Sequence, residues 1–450
     1  MQENEIITLK IESFSNQGYG VAHSDGMVVF VSNACPGDIV EAKIDKVHKT
    51  YGYASVKSVI TPSLHRARSI CPLQKVCGAC QLGFIDYDYQ LELKHQYVKD
   101  VMKKIGGLEA EISKPIPSPQ NLNYRHKIQY PISQTKNSGR ILAGYFKPKT
   151  HEIVNIKYCP IQPAVCDEII EFIREKAFDF AIKGYFEKTH FGDLRHVLLR
   201  VSADNGKILI TLVVNATKTF KALRDFAKCI FDEFDCVTGV CVNFNPKKTN
   251  VILGDKTECV CGKNYIIERI LDKTFQIGPA SFFQINPKSA ENIFKYVKDY
   301  ISSNYTKPAV LDAYSGVSAF GITVSDIAKQ VVCVEENKEA CELAHEIARK
   351  NNVKNIEINN SNADEFFAQE KRKFDVVILD PPRSGCTEQS LDNVVKVCKG
   401  EIIYVSCNPA TLARDLKYLT EKGCKIQKNI QPFDMFPHTY HIENVVIIDV

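Results

Sequence analysis

The chain has 450 residues, 44% hydrophobic and 24% charged, with a formal net charge of +4. That balance excludes a disordered or fibrous chain and leaves room for two or three separate cores. No apolar run is long enough to cross a bilayer, and MQENEIITLK lacks the basic start and apolar stretch of a signal peptide; a cytoplasmic protein with reduced thiols and no membrane partner is expected.

Residues 6–60 alternate apolar and polar positions between turn signals at Gly18 and Gly20, Asp25-Gly26 and Pro36-Gly37. Short strands at regular spacing predict a small OB-like β-barrel. Such barrels bind nucleic acid on one face or serve as plain structural modules. Residues 41–160 hold 19 lysines and arginines against 9 aspartates and glutamates, a surplus of ten. Tyr51, Tyr53, Tyr87, Tyr89, Tyr124, Tyr130 and Tyr145 lie in the same segment. Positive charge interleaved with aromatic rings suits RNA with exposed bases, or an ordinary solvated surface. Arg125 and Lys127, in NYRHKIQYP, are the candidate RNA contacts.

The chain has 17 cysteines. Cys71, Cys77 and Cys80 follow the barrel, and Cys159 precedes Pro160. Three close thiols and a distant one before proline match iron–sulfur ligation, or a structural zinc. Cys259 and Cys261 lack nearby partners and are not expected as ligands. Cys35, Cys166, Cys229, Cys236, Cys333, Cys341, Cys398 and Cys424 are expected to pack as small apolar side chains. A helix over residues 87–105 is predicted next, with Leu91, His95, Val98 and Met102 on one stripe. Residues 123–275 read as mixed β and α, with strands at 196–202 and 207–215 joined at Asp204-Asn205-Gly206.

From Pro308 strands and helices alternate: AVLDAY, VVCVEE, IEINN, FDVVILD, EIIYVSC and NVVIIDV are separated by helix-length polar segments. This rhythm predicts an α/β, Rossmann-like doubly wound sheet with ligands at the carboxyl ends of its strands. In VLDAYSGVSAFGIT a strand ends, turns at Gly316 and opens a helix whose N-terminus can receive a carboxylate. The second strand ends at Glu335, placed to accept from ribose hydroxyls, and Asn362-Ala363-Asp364 follows the third, placed to meet an adenine edge. With no G-x-G-x-x-G fingerprint, the ordered set favours S-adenosylmethionine over a dinucleotide. The fourth strand ends in Asp380-Pro381-Pro382-Arg383, with no aromatic after the prolines to stack an amino-bearing base, which favours carbon as the methyl acceptor.

The fifth strand ends at Cys407 in VSCNPATLARD, beside a helix N-terminus expected to stabilise thiolate. Uracil C5 is too weak a nucleophile to take a methyl group unaided. A thiolate adding to C6 makes C5 an enolate carbon, and a base then removes the C5 proton so that the thiol can leave. Glu443, directly before NVVIIDV, is the candidate base, with His438 and His441 as rivals or orienting groups. Cytosine-C5 methylation also uses a thiolate, but its RNA enzymes usually carry a Pro-Cys pair where Pro382-Arg383 stands. A non-catalytic RNA chaperone would not need the Cys407–Glu443 pair.

SCNPATLARD, FPHTYHIE, LDPPRSG and Phe282-Phe283-Gln284-Ile285-Asn286 together resemble the RNA uracil-C5 methyltransferase family. The resemblance covers nearly the whole chain, and the barrel looks like a TRAM domain of the family's 23S ribosomal RNA branch. It implies cofactor contacts from Gln284, Tyr314, Glu335, Asn362 and Asp380, with Cys407 as nucleophile and Glu443 as base. It also implies a [4Fe–4S] cluster on Cys71, Cys77, Cys80 and Cys159. The expected domains are the TRAM barrel at 1–60, a central domain carrying the cluster at 61–275, and the methyltransferase domain at 276–450, in a monomer acting on 23S ribosomal RNA. The chain departs from the family at Val317-Ser318-Ala319, where many relatives carry a second glycine and a polar residue, so no side-chain contact is expected from Ala319. Cys386, in DPPRSGC, reads as packing.

Overall fold

The computed structural model describes every residue except Lys136 and Lys428. Strands β1 (Ile6–Lys10), β2 (Ser13–Phe14), β3 (Gly20–Ser24), β4 (Met27–Ser32), β5 (Ile39–Val47) and β6 (Tyr51–Thr61) form one sheet in the order β1-β5-β6-β4-β3-β2. β1 pairs β5 and its continuation β2 pairs β3, so one stretch of chain joins both edges and the sheet curls into a barrel. The alternation is realised as an interior of Leu9, Val29, Val31, Val40, Ala42, Ile44 and Ala54.

Helix α1 (Tyr87–Val101) ends in a π-helical turn over Met102–Gly106, closed by Gly107 at φ 61°. Its buried face is Gln90, Lys94, Val98 and Val101, one residue round from the predicted stripe. The reason is polar: the surface beneath it offers a carboxylate and main-chain groups that Lys94 and Gln90 bond. Val98, Val101 and Met102 pack into the core of the C-terminal sheet.

The middle of the chain forms a second sheet from β7 (Lys127–Gln134), β8 (Ile141–Ala143), β9 (Leu194–Val201), β10 (Ile208–Val214), β11 (Val237–Phe244) and β12 (Lys256–Gly262), ordered β12-β11-β10-β9-β7-β8. Helices α2 (Ala164–Asp179) and α3 (Lys221–Glu233) lay Ile169, Ile173, Phe226 and Ile230 into its core. Tyr124 and Tyr130 are buried here and Tyr145 packs against them. Tyr89 stacks on His65 with ring centroids 3.6 Å apart. Most tyrosines of the basic segment therefore serve packing, and Tyr51 and Tyr53 are the two that stand outside a core on a barrel strand.

The hairpin β13 (Ile266–Ile270) and β14 (Lys273–Ile277) packs with helix α4 (Pro287–Asn304) into the C-terminal core, so by packing the hairpin and α1 both join the last body of the protein. That body contains β15 (Ala309–Ala313), α5 (Ala319–Val324), β16 (Gln330–Glu335), α6 (Lys338–Lys350), β17 (Ile356–Asn360), α7 (Ala363–Gln369), β18 (Phe374–Leu379), α8 (Glu388–Val397), β19 (Cys398–Ser406), α9 (Pro409–Glu421), β20 (Lys425–Ile426), β21 (Gln431–Phe433) and β22 (Glu443–Asp449). The strand order is β17-β16-β15-β18-β19-β22-β20, with β21 on β22. β15 to β19 are parallel and β22 runs antiparallel to β19. The parallel strands read as apolar runs because cores cover both faces. The order reverses between β15 and β18, which opens a crevice at their carboxyl ends. Among the described residues no helix is long and apolar enough to cross a membrane.

Candidate active site

Gln284, Tyr314, Glu335, Asn362, Asp380, Cys407 and Glu443 all line one cleft at these strand ends, with the start of β12 on its far wall. After β15 the chain turns through Tyr314, Gly316 and Ser318, each in the left-handed region at φ 59°, 55° and 57°. A Cβ on Gly316 would meet nothing within 4 Å, so the glycine serves the backbone turn itself. Gly316 N–H donates to Glu335 Oε2 at 2.8 Å, and Asn337 N–H to Glu335 Oε1 at 2.8 Å. Glu335 thus holds the turn and keeps its remaining lone pairs for a ligand. Asn362 caps α7, accepting from Asp364 N–H at 2.9 Å. The Tyr314 hydroxyl bonds Ser390 Oγ at 3.1 Å, so its ring and main chain are what it offers the cleft. Asn286 caps α4 and donates to Met435 O and Ser118 Oγ, so in the FFQIN segment Gln284 lines the cleft while Asn286 braces it.

The register of β19 on β22 pairs Val405 with Val445 and Ser406 with Asn444. Continued by one residue, it sets Cys407 opposite Glu443, and directly opposed residues share a sheet face. Burial, then the nearby Asp380, pushes the Glu443 carboxyl up to about 8, against the pull of Arg383. Burial, then Glu443, pushes the Cys407 thiol up to about 11, although Arg383 bonds it and pulls the other way. The expectation of a stabilised thiolate at the helix start is therefore corrected: burial and two acids outweigh one cation, and the free protein holds the thiol protonated. Burial likewise raises Asp380 and Asp312 to about 7 each. Asp312 accepts from Gly321 N–H at 2.8 Å and leaves its other oxygen buried without a partner among the described residues.

Arg383 is the residue the sequence reading used only as a missing aromatic. It stands beside Cys407, Glu443 and the His441 ring, 3.3 Å from Nδ1. The SCNPATLARD motif is explained by the loop it braces. Asn408 Nδ2 and Thr411 Oγ1 donate to Arg383 O at 3.0 and 3.2 Å, and Arg414 donates to Ser384 O and Cys386 O. Asp415 accepts from Cys386 N–H at 2.9 Å and the Tyr404 hydroxyl at 2.7 Å. Gly385, at φ 73°, has no room for a Cβ, which would lie 2.5 Å from Asp415 Oδ2. Cys386 itself is buried beneath Tyr404.

The segment before Glu443 is gripped from outside. Lys94 donates to Asp434 Oδ1 at 2.7 Å and to Phe436 O at 3.1 Å, and the Tyr87 hydroxyl to Asp434 Oδ2 at 2.8 Å. Gln90 accepts from His438 N–H at 2.9 Å, Tyr124 donates to Pro437 O, and Leu82 N–H to His438 O. Burial lowers His438 and His441 to about 4 each, so both rings are neutral. His438, bonded to α1, is a structural group.

Cys71, Cys77, Cys80 and Cys159 line a second, small cavity with Leu73, Ile156 and Pro160. The charge of each of the other three raises the Cys80 thiol, as burial does, so the four face one another. The main-chain N–H of Leu73 points at the Cys71 sulfur, and burial raises the Cys77 and Cys159 thiols against the opposing pull of the Ala79 and Ile161 N–H groups. Arg125 lies alongside, its guanidinium 4.8 Å over the Tyr145 ring. It therefore faces inward to the thiols instead of outward to RNA. Lys127, half-buried, is lowered to about 8 by burial first and then by Arg200 and Arg125. Among the described residues no three His, Cys, Asp or Glu side chains are arranged to hold a metal ion. Four cysteines around one cavity are a donor set that would suit an iron–sulfur cluster.

A doubly wound sheet with an antiparallel last strand, a glycine turn after its first strand and acidic ends on the second and fourth defines the class: a methyltransferase that uses S-adenosylmethionine. Residues 86–450 match the model of the tRNA (uracil-5-)-methyltransferase family and residues 1–57 that of the TRAM domain. The chain belongs to that family, as an S-adenosylmethionine-dependent RNA uracil-C5 methyltransferase. It is 36% identical over 451 residues to an uncharacterized RNA methyltransferase of Clostridium tetani, covering 100% of this chain and 97% of that one. It is 35% identical over 454 residues to another from Halalkalibacterium halodurans, covering 100% and 98%. The solved structure of Pyrococcus abyssi tRNA (uracil-54, C5)-methyltransferase in complex with S-adenosyl-L-homocysteine superimposes with a TM-score of 0.80 at 29% identity, covering 98% of this chain and 99% of that one.

Proposed function

We propose that Cys407 adds covalently to C6 of the target uridine and that Glu443 removes the proton from C5. The observation that carries this is the opposition of Cys407 and Glu443 across β19 and β22, inside the cleft that also holds Arg383 and the cofactor residues. S-adenosylmethionine brings a methyl group on a sulfonium cation. Gln284, Tyr314, Glu335, Asn362 and Asp380 bind and orient it. Arg383 steadies the sulfur as its proton passes to solvent and the C–S bond to C6 forms, and C5, gaining the ring electrons, then takes the methyl group as its bond to the sulfonium sulfur breaks. Glu443, held near 8 and acting in its ionised form, then accepts the C5 proton, and the C–S bond to C6 breaks to release the Cys407 thiolate, which regains a proton from solvent. The target uridine must leave its stack to reach a cleft of this depth. The four cysteines hold a [4Fe–4S] cluster in a structural role, since its cavity is separate from the cleft.

Glu443→Gln tests the mechanism. It should leave a denaturation-resistant protein–RNA adduct, and Cys407→Ala should form none and transfer no methyl group. Turnover by Cys407→Ala removes the covalent step. For the cluster, anaerobically purified protein should contain iron and absorb broadly in the visible; zinc without iron overturns it.

The proposed substrate is 23S ribosomal RNA, met by a cytoplasmic monomer, on the strength of the barrel joined to the cysteine set. A transfer RNA uridine is the second reading, favoured because the Pyrococcus abyssi transfer RNA enzyme matches this chain over 98% of its length. Labelled cofactor incubated with ribosomal and transfer RNA from a strain lacking the gene separates them by the pool that gains 5-methyluridine.

A further inference from the structure

Cys259 and Cys261 stand two apart on β12, a spacing that in a regular strand puts both thiols on one face. Here a bulge parts them. Val240 pairs Cys261 and Cys241 pairs Cys259, so Val260 is the extra residue and the register slips by one between the two pairs. A slip of one residue turns side chains to the other face of the sheet. Cys261 accordingly packs against the core beneath α2 and α3, whereas Cys241 is buried in the core shared with the C-terminal body. In an unbroken ladder Cys259 would oppose Val242; the bulge brings it to Cys241 instead. Directly opposed residues hold their Cα atoms ~4.5–5.5 Å apart, inside the ~4.4–6.8 Å that a disulfide spans. The Cys241 thiol also donates to the Cys259 sulfur, so the two side chains point at each other.

The pair is asymmetric. Cys259 is exposed, its sulfur 3.4 Å from Cys261 O and Gly262 O, while Cys241 is fully buried. Burial pushes the Cys241 thiol up, which keeps it inert until an electrophilic sulfur forms beside it. β12 is an edge strand, bonded within its sheet to β11 alone, and its approach and opening residues Gly254, Asp255, Lys256 and Thr257 form the far wall of the active-site cleft. We propose that Cys259 and Cys241 are a redox modification site, a dithiol that a hydroperoxide closes into a disulfide and a dithiol reductant reopens, and that the closed form stiffens the far wall of the cleft. Cys259, the thiol that solvent reaches, attacks one peroxide oxygen. The O–O bond breaks, the other oxygen leaves as an alcohol or water carrying the Cys259 proton, and Cys259 becomes a sulfenic acid. The Cys241 sulfur then attacks Cys259; the S–S bond forms and the sulfenic oxygen departs as water with the Cys241 proton. Both sulfurs are oxidised and one peroxide is reduced. The inference needs neither the covalent step at Cys407 nor the iron–sulfur cluster.

The experiment treats the full, anaerobically purified chain with a slight excess of hydrogen peroxide, blocks the remaining thiols and maps peptides without reduction. The peptides carrying Cys241 and Cys259 should appear joined, lighter by two hydrogens than their sum, and a dithiol reductant should part them. Cys259→Ser, a change at an exposed position, should leave Cys241 free at the same peroxide dose. Cys241→Val keeps the apolar volume and should stop the reaction at a Cys259 sulfenic acid, which dimedone traps. Hydrogen exchange at the amides of residues 254–262 should be slower in the bridged protein than in the reduced one. Cys241 and Cys259 both free while other cysteines oxidise, a bridge from Cys259 to Cys261, or equal exchange in the two states overturns the proposal. Because none of these readouts needs turnover, they leave the Cys407 mechanism to be judged separately.

Discussion

Lys94→Met tests whether α1 positions the catalytic base. Lys94 is 2% exposed and Asp434 fully buried, joined at 2.7 Å. Removing one partner of a buried pair costs about 3–5 kcal/mol, because the other charge stays behind without water. Asp434 would keep the Tyr87 hydroxyl and the Phe436 N–H, which places the expected loss at the lower end, about 3 kcal/mol. At ~2–4 °C per kcal/mol for a body of ~150–250 residues, the melting temperature should fall by about 6–12 °C. Adding Asp434→Asn keeps an acceptor for Tyr87 and removes the stranded charge, so the double variant should recover about 2 kcal/mol. The assay is thermal unfolding of both variants, with methyl transfer measured well below their transitions. As Lys94 also holds Phe436 O, kcat should fall further than KM moves, and the double variant should stay slow although stable. A single variant that loses under 1 kcal/mol, or a double variant no better than the single, refutes the reasoning.

Alkylation of Cys407, followed on its own peptide, should accelerate about tenfold per pH unit with no plateau below pH 10, because the thiol is held near 11; Arg383→Met should slow it at every pH by removing the cation that opposes burial. For Glu443 the folded carboxyl sits near 8 against 4.5 in the unfolded chain, so its contribution to stability is full below about pH 4.5 and is lost as pH rises to about 8. Relative to Glu443→Gln, the unaltered protein should lose up to ~1.4 kcal/mol per pH unit across that window, and parallel stability curves would place the group in water. Asp380, Asp312 and Glu443 ionise between about 7 and 8 in or beside a cleft holding one arginine. Calorimetry should therefore find the preference for S-adenosylmethionine over S-adenosylhomocysteine, which lacks the sulfonium charge, growing by about tenfold from pH 6 to pH 9; a constant ratio contradicts that charge assignment.

The strands of the last body were legible because a buried parallel strand has to be apolar end to end, and AVLDAY or FDVVILD can be little else. The barrel was legible from alternation and turns. The span of α1 was legible but its buried face was not, because that face carries Gln90 and Lys94, and an apolar stripe cannot reveal polar groups buried to bond a loop some 340 residues away in sequence. Arg125 misled for a related reason: sequence gives its charge but not that cysteines and Tyr145 surround it. The thiol's high pKa lay out of reach too, since it depends first on burial in the folded cleft and then on Glu443 and Asp380 arriving from two other strands.

The position of Glu443 follows from one reversed strand. In a parallel sheet only carboxyl ends reach the active edge, so the strand-borne side chains there come from residues that close a strand or directly follow it. Asp380 and Cys407 obey this, each directly following its strand. β22 alone enters between neighbours in the opposite sense, which brings its first residue to that same edge. A parallel strand must return through a crossover helix before its end reaches that edge, as β18 with Asp380 and β19 with Cys407 do. The antiparallel entry instead sets the carboxyl directly across from the thiol, and the loop before it must then be held by something outside the sheet. Lys94, Gln90 and Tyr124 do this, which is why polar residues of the upstream chain lie buried against the catalytic body.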